Sequence, residues 1–157
     1  MPLSPGECLP SPLLRQFINA VTNGAKLTIL GGVFSLGKGG YGESVLNAIL
    51  PVEPGTPWQV KRFPSPQPVR LGVGSLGGAA QDVPHVLWYH GVEVREGATV
   101  DMTAAGKPMF VSWPIGKGSV SVSLPCPTGK DWSKDQPPFW QSRTWREWMV
   151  RKALSAD

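Results

Sequence analysis

The segment of residues 27–52, LTILGGVFSLGKGGYGESVLNAILPV, constrains the fold of this chain more than any other part of it. Its apolar start predicts a strand over 26–30, and such a run is typical of a strand buried on both faces, next to parallel neighbours. A glycine-dense turn follows. The pattern over 43–50 then predicts a helix that Pro51 ends. Strand, turn and helix in this order are how α/β proteins build sites at the carboxyl ends of strands.

The flanking sequence predicts one mixed α/β domain over residues 1–157. A helix is expected to begin at Pro12, behind Ser11 as its N-cap, and to end at an Asn-Gly stop at 23–24, and another is expected over 145–154 behind a Thr-x-x-Glu capping box. Residues 53–84 hold six prolines and form the least regular part. Strands are predicted at 86–89, 92–95, 99–103, 109–113 and 119–124, with a short one possible at 69–73. In 119–124 serines alternate with apolar residues, which predicts one solvent-facing side.

Composition excludes several classes of function. The net charge is +4, and the cations are scattered rather than grouped, so no nucleic-acid partner is expected. No apolar run approaches the ~20 residues of a membrane span, and the N-terminus lacks the pattern of a signal peptide, so no membrane partner and, by default, a cytoplasmic location are expected. Cys8 and Cys126 are expected to be free thiols.

Two phosphate-binding patterns occur in the glycine turn, and both are incomplete. Gly32-x-x-x-x-Gly37-Lys38 precedes Gly39, where a phosphate loop needs Ser or Thr to ligate Mg²⁺. Gly37-x-Gly39-x-x-Gly42 formally fits the dinucleotide fingerprint, but the strand does not run directly into it. About 20 residues later Lys-Arg-Phe stands where a ribose-binding acid should be. No nucleotide and no other cofactor is therefore predicted.

Other residue types give no strong catalytic or metal pattern. His85 and His90 are five residues apart, which places them on opposite faces of a strand, so ordinary structural roles are expected instead of a metal site. Ser35 has no histidine close in sequence, and its hydroxyl is expected to satisfy the backbone of the turn. Tryptophans cluster near the C-terminal helix, where docking on a sheet explains them more simply than sugar stacking.

The turn and the sequence after it resemble a known family. The matching residues of the turn are Gly31, Gly32, Ser35, Gly37, Gly39, Gly40, Tyr41, Leu50, Pro51 and Val52, with Leu36 in place of an aromatic residue. Residues 94–100, 106–111 and 115–120 continue the pattern in order, with Ser119 where Arg is common. Over residues 11–125 the chain resembles the putative glutamine amidotransferase-like domains of bacterial proteins, in the class I group related to the trehalose-utilisation (ThuA-like) proteins.

The resemblance implies a flavodoxin-like, class I amidotransferase-like three-layer α/β sheet, with antiparallel strands in the C-terminal half. The chain matches only the C-terminal two-thirds of such a domain, so its sheet is expected to be incomplete at the N-terminus. Self-association or a partner chain would then complete it. The family's nucleophilic Cys in Gly-x-Cys-x-Gly and its His-x-Glu pair are both absent, which implies a fold without glutaminase chemistry.

The sequence therefore favours a non-catalytic binding or interaction module that holds an unknown small ligand at the turn. The candidate ligand-binding residues are Gly31, Gly32, Ser35, Gly37, Lys38, Gly39, Gly40 and Tyr41. An alternative is a ThuA-like or hydrolase-type enzyme acting on a carbohydrate or a small ester, in which Ser35 would meet His85 or His90. A further alternative is a truncated fragment without an independent function.

Overall fold

The structure, a computed structural model, describes residues 9–71, 82–129, 132 and 136–154. The helices are α1 (Ser11–Thr22) and α2 (Arg143–Leu154), with 3-10 turns at Tyr41–Glu43, Val45–Ile49 and Phe139–Gln141. The strands are β1 (Lys26–Ile29), β2 (Val52–Glu53), β3 (Val60–Pro68), β4 (Arg70–Leu71), β5 (His85–His90), β6 (Glu93–Val94), β7 (Thr99–Ala104), β8 (Lys107–Ile115), β9 (Gly118–Ser123) and β10 (Pro125–Cys126). The fold is mixed α/β, with a mostly antiparallel main sheet and few helices.

The main sheet has five strands in the order β1-β9-β8-β7-β4. β1 pairs in parallel with β9, and the other pairs are antiparallel. β1 therefore lies at an edge of the sheet, and Lys26, Leu27 and Thr28 are only half-buried. The expectation that this strand is buried on both faces between parallel neighbours was wrong for the described residues, because β9 is the only strand beside it.

The described part of residues 53–84 is more regular than predicted. β3 occupies nine of them and pairs with β5, which in turn pairs with β10 in a second sheet. Pro64 and Pro66 fall within β3, where the register shifts between Arg62 and Gln67. Proline is tolerated there because β3 is an edge strand and lacks ladder partners over the shift. Residues 72 and 73 of the possible strand at 69–73 lie outside the described residues, and β4 covers 70–71.

One face of the main sheet is apolar and carries α1. Leu27 lies opposite Val120, and Ile29 lies opposite Val122. Leu14 and Val21 of α1 pack on Val120 together with the second 3-10 turn. The helix begins one residue before the predicted start, with Pro10 and not Ser11 at the N-cap position, and it ends at Thr22, directly before the predicted stop. The apolar side of β1 and β9 is therefore closed by α1 and by the segment after the glycine turn.

The opposite face of the main sheet is lined by serines, and it is not solvent-facing as predicted. Ser121 and Ser123 are 4% and 2% exposed. α2 covers this side, and its Trp148 ring meets the ring of Phe110 edge to face, with centroids 4.7 Å apart. The alternation of serine and valine therefore identified the two faces correctly but could not show that a helix returns from the end of the chain to cover one of them.

The helices predicted at 43–50 and 145–154 both differ from the structure. The segment 43–50 forms two short 3-10 turns instead of one α-helix, because Ser44 adopts an extended conformation between them and accepts a hydrogen bond from the Leu46 amide. α2 begins at Arg143, two residues before the predicted start, and the capping box does not form. Ser142, directly before the helix, accepts a hydrogen bond from the Trp145 amide at 3.1 Å as a local cap. Thr144 donates its amide and its hydroxyl to Asp82, at 2.7 and 3.0 Å, so a residue distant in sequence adds to this cap.

The remaining strands agree closely with the sequence. The predicted strands at 86–89, 99–103 and 109–113 lie within β5, β7 and β8. The strand predicted at 119–124 corresponds to β9, which ends one residue earlier, and the strand predicted at 92–95 contains the shorter β6. Cys126 is free and buried, and burial raises the pKa of its thiol to about 12. Cys8 lies outside the described residues. Neither of the two described α-helices is long and apolar enough to cross a membrane.

Candidate functional site

The glycine turn leaves the carboxyl end of β1 and folds back against the strands beside it. Two residues adopt left-handed backbone conformations, Leu36 with φ 51° and Gly40 with φ 69°. The Leu36 side chain is completely buried, in the same cluster as Ile29 and Val122. This apolar anchor explains why a non-glycine residue is held in a conformation that glycine adopts more easily.

Several glycines of the turn are required by close backbone approach and not by an anion. A Cβ on Gly31 would lie 2.6 Å from the Ser123 carbonyl oxygen, and one on Gly39 would lie 2.9 Å from the Phe34 carbonyl oxygen. A Cβ on Gly37 would clash with the carbonyl oxygen of Thr56. The turn is therefore packed against the protein at the positions that the phosphate-loop pattern would use for a ligand.

Ser35 and His90 meet beneath the turn although 55 residues separate them. The Ser35 hydroxyl accepts a hydrogen bond from the Gly32 amide and donates one to the Gly32 carbonyl, both at 2.9 Å. His90 Nε2 lies 3.0 Å from Ser35 Oγ and 2.9 Å from the Gly32 carbonyl oxygen. The expectation that Ser35 satisfies the turn backbone is confirmed by these contacts, and the histidine joins the same network.

The contacts of His90 fix its tautomer. The Gly32 carbonyl oxygen can only accept, so the proton of the neutral ring lies on Nε2 and is shared between Gly32 and Ser35. Burial lowers the pKa of His90, against the hydrogen bond to the Gly32 carbonyl, which raises it, so the neutral ring is favoured. A protonated Nε2 cannot take a proton from the serine. In this geometry His90 positions the turn instead of activating Ser35 as a nucleophile.

Burial also separates this pair from solvent. Ser35 is 6% exposed and His90 is 1% exposed. His90 Nδ1 is buried and has no hydrogen-bond partner among the described residues. A catalytic serine has to reach a substrate carbon, so the turn would have to open before Ser35 could react.

Gln59 is a buried polar residue that the sequence did not single out. Its side chain is packed against Gly37 and Gly55, and a Cβ on either glycine would approach Gln59 Oε1. Both atoms of the amide group are buried without a hydrogen-bond partner among the described residues. The absence of a side chain at Gly55 leaves room for Gln59, and the φ of Gly55, 68°, lies in the left-handed region that glycine adopts easily. A single glutamine in a proline-rich segment gives no indication in the sequence that its side chain is buried.

The outer surface of the turn is apolar with one cation. Val33 and Phe34 are exposed, and Lys38 Nζ lies 4.7 Å from the centre of the Phe34 ring. Among the described residues, no acceptor takes the amide protons of Val33 and Phe34. Of the predicted ligand-binding residues, Gly32 and Lys38 lie on this surface, whereas Ser35 and Gly39 are buried inside it. Tyr41 is half-buried, and burial raises the pKa of its hydroxyl.

Metal-binding clusters are absent from the described residues. Asp82, which the sequence places near the histidines, is used to cap α2. Glu93 is exposed on β6, opposite Glu53. His85 lies at the other end of β5 from His90, so the two histidines do not meet at one site.

A second concave surface lies beside β1, on the face covered by α2. This groove, of about 440 Å³, is almost entirely apolar, and we call it the β1 groove. Its lining residues are Leu30, Gly31, Ser123, Pro125, Pro127, Phe139, Trp140, Trp145, Arg146, Met149 and Val150. The tryptophan cluster expected to dock on the sheet therefore does so, and it also forms one wall of this groove.

The fold recurs in solved structures of proteins with distant sequences. Cytoplasmic protein STM3548 from Salmonella typhimurium superposes with a TM-score of 0.71 at 21% identity, over 89% of this chain and 58% of that chain. Cytoplasmic protein STM1381 from Salmonella typhimurium LT2 gives a TM-score of 0.62 at 19% identity, over 87% and 54%. This chain thus spans little more than half the length of either protein.

The same fold matches a small part of a much longer enzyme. Gan42B, a GH42 β-galactosidase from G. stearothermophilus, superposes with a TM-score of 0.56 at 15% identity, over 93% of this chain and 20% of that chain. Identities this low establish a shared fold and no shared activity. No protein-family model matches the sequence, and no curated protein matches it.

Proposed function

We propose that this chain is a non-catalytic binding or interaction module whose glycine turn is the ligand-facing surface. The observation that carries the proposal is the contact of His90 Nε2 with both Ser35 Oγ and the Gly32 carbonyl. These hydrogen bonds hold the turn closed. The proton on His90 Nε2 prevents that nitrogen from acting as a general base toward Ser35. A closed turn is rigid, and a rigid surface loses little conformational entropy when it binds.

The proposal includes an amidotransferase-like fold without its nucleophile. In support of it, the glycine turn follows β1 at the carboxyl end of a strand that pairs in parallel, and the C-terminal half is antiparallel. A flavodoxin-like sheet would continue beyond β1 with further parallel strands. The turn in which the resembled family carries its cysteine holds no cysteine here, and its exposed residues include Val33 and Phe34.

The chemistry of the turn surface favours a small ligand with an anionic or carbonyl oxygen. No described residue accepts a hydrogen bond from the amides of Val33 and Phe34, and Lys38 lies beside the Phe34 ring. Successive backbone amides in a turn bind such oxygens. The apolar side chains of Val33 and Phe34 would then cover the apolar part of the same ligand.

The test is binding followed by NMR on isotope-labelled protein, with glutamine, inorganic phosphate and galactose as separate probes. We expect one of them to shift the amide signals of residues 32–34 and 38, with a Kd in about the millimolar range, and Lys38→Ala to weaken binding several-fold. Lys107→Ala, which removes an exposed cation at the start of β8, is the matched control. Shifts that Lys38→Ala leaves unchanged would contradict the proposal, and so would Ser35-dependent turnover of any probe.

A hydrolase acting on a carbohydrate or a small ester is the second candidate. It is favoured by one observation, the 3.0 Å separation of Ser35 Oγ and His90 Nε2, which is within reach of a proton transfer. This reading requires the other tautomer of His90 and an open turn. Labelling by a fluorophosphonate, lost in Ser35→Ala and reduced in His90→Gln, would establish it. The leading proposal expects no labelling of the folded protein.

A further inference from the structure

The β1 groove lies where the two parallel strands of the main sheet end. β1 pairs in parallel with β9, and these strands end at Ile29 and Ser123. The groove is lined by Leu30 and Gly31, which follow β1, and by Ser123 and Pro125 at the end of β9. Open α/β sheets bind ligands in the crevice outside the carboxyl ends of their strands. The groove therefore occupies the position at which such a sheet holds a small ligand.

One wall of the groove is formed by aromatic side chains that fix one another. Phe139 and Trp145 are 6% and 5% exposed. The Phe139 ring meets the rings of Trp140 and Trp145 edge to face, with centroids 5.1 and 4.9 Å apart. Met149 and Val150 of α2 also line the groove. A preformed apolar groove of about 440 Å³ is within the size range of small-molecule sites, so it fits the apolar part of a small ligand.

The groove is continuous with the outer surface of the glycine turn. Leu30 and Gly31 line the groove, and Val33 follows two residues after Gly31 in the chain. Two residues span at most ~7 Å, which is less than the length of an extended chain of eight carbons. A Cβ on Gly31 would lie 2.6 Å from the Ser123 carbonyl oxygen, so the beginning of the turn is held against the end of β9. One ligand can therefore reach both surfaces.

The polar groups of the turn favour a carboxylate as the other end of this ligand. Lys38 lies beside the Phe34 ring, and no described residue accepts a hydrogen bond from the amides of Val33 and Phe34. Successive backbone amides and a cation together bind an anionic oxygen. Arg146, the charged residue that lines the groove, is exposed and directly precedes Glu147, so it adds little net charge there. The carboxylate therefore belongs at the turn and the apolar part in the groove.

We infer that the ligand of the glycine turn is an aliphatic carboxylate whose carboxyl end binds Lys38 and the amides of Val33 and Phe34, and whose chain lies in the β1 groove. This inference rests on the proposed function, since it uses the turn as the site for an oxygen. It adds the groove as the site that recognises the apolar part of the ligand. Each methylene group buried in the groove then strengthens binding.

The experiment measures binding of acetate, butanoate, hexanoate and octanoate to the isotope-labelled chain by NMR titration. We expect each added methylene to strengthen binding about two- to fourfold, so that octanoate binds at least about tenfold more tightly than butanoate, with a Kd of about 0.1–1 mM. Octanoate should shift the amide signals of residues 32–34 and the indole signals of Trp140 and Trp145 together. Acetate should shift the amide signals alone.

One pair of variants tests the groove. Leu30→Gln removes an exposed apolar side chain that lines it and is expected to weaken octanoate binding about fivefold. Phe17→Gln is the matched control, because Phe17 is a partly exposed apolar residue of α1, on the opposite face of the sheet. This control should leave the Kd within about twofold.

A second probe tests the charge of the ligand. Octylammonium carries the same chain with a cationic end and is expected to bind several-fold more weakly than octanoate. Lys38→Ala should remove most of this difference. Equal binding of octanoate and octylammonium to the unchanged protein would overturn the inference, and so would equal weakening by Leu30→Gln and Phe17→Gln.

Failure of the inference and failure of the proposed function give different results. If acetate shifts the turn amides in a way that depends on Lys38, and octanoate binds no more tightly, the inference alone is wrong. If octanoate shifts the indole signals but no probe, phosphate and glutamine included, shifts the turn amides, the proposed function fails as well. A dimer in solution that Leu30→Gln dissociates would make a second copy the occupant of the groove and overturn the inference.

Discussion

At the scale of single residues, the glycine turn is held by contacts that leave no space for a larger side chain. Gly31 passes between the carbonyls at the junction of β9 and β10, and Gly37 passes the carbonyl of Thr56. His90 closes the turn through its hydrogen bonds to Ser35 and Gly32. The motif that looks like a phosphate cradle in the sequence is thus an internal packing surface over part of its length.

Gly31→Ala is expected to destabilise the protein by about 2–3 kcal/mol, because its Cβ would lie within 2.6 Å of the Ser123 carbonyl oxygen. The melting temperature should fall by about 5–10 °C in differential scanning calorimetry. Gly32→Ala is the matched control, since a Cβ there meets nothing within 4 Å. Equal losses in the two variants would show that the close approach is not what stabilises the turn.

His90 makes the stability of the fold depend on pH. Burial lowers the pKa of His90 below its unfolded value, so its contribution is full above about pH 6.5 and is lost as pH falls through the folded pKa. Between pH 7 and pH 5 the free energy of unfolding should decrease, by up to about 1.4 kcal/mol per pH unit from this group.

His90→Gln should flatten this part of the pH profile, measured by urea denaturation at each pH. His85→Gln, at the other end of β5, serves as the control and should keep the slope. A slope that survives in His90→Gln would assign the pH dependence to other groups.

At the scale of elements, the C-terminal helix is positioned by a residue that precedes β5. Asp82 accepts hydrogen bonds from the Thr144 amide and hydroxyl, and the Ser142 hydroxyl donates to the Asp82 carbonyl. Burial raises the pKa of the Asp82 carboxyl, but the hydrogen bonds from Thr144 outweigh it and hold that pKa below its usual value. The first turn of α2 is therefore tied to the strand region that it covers.

Asp82→Ala is expected to cost about 1 kcal/mol, the usual loss for a helix N-cap, and to loosen the packing of Trp145. The loss should appear in urea titrations at pH 7 and shrink below about pH 4, as the pH falls toward and through the lowered pKa of the folded Asp82 carboxyl. Glu96→Ala removes an exposed carboxylate elsewhere and should change little. An unchanged stability in Asp82→Ala would mean that α2 is held by its apolar contacts alone.

At the scale of the whole molecule, one sheet links the three apolar clusters. Val122 and Ile29 belong to the cluster under the glycine turn, Val120 belongs to the cluster under α1, and Phe110 belongs to the cluster under α2. Strands β8 and β9 contribute to more than one cluster, so loss of one should weaken the others. Such a fold is expected to unfold as a unit, which a fragment without independent structure would not do.

Urea unfolding followed by tryptophan fluorescence and by far-ultraviolet circular dichroism should give one coincident transition. Val122→Ala, at a fully buried position, should lower the stability by about 2 kcal/mol and shift both probes by about 1 M urea. Val150→Ala, at an exposed position, should shift the midpoint much less. Separate transitions for the two probes would contradict a single cooperative unit.

Local sequence patterns were sufficient for most of the secondary structure. The helix at 11–22 and the strands of the C-terminal half were predicted within a few residues, because short-range periodicity and turn residues specify them. The prediction over 43–50 was wrong in type, since Ser44 interrupts the helix with a local hydrogen bond. The strand at 60–68 was missed because prolines argue against a strand unless it is known to be at an edge.

The sequence by itself determined that this chain has a glycine turn after a strand and that the thiol needed for glutaminase chemistry is absent from it. Only the tertiary structure decided that His90 reaches Ser35, that Gln59 is buried beside Gly37, and that β1 is the edge strand of the sheet formed by the described residues, next to an apolar groove. The physical reason is distance along the chain. Contacts and strand pairs between residues more than about 20 positions apart leave no periodic pattern in the sequence, so they are set by how the elements pack.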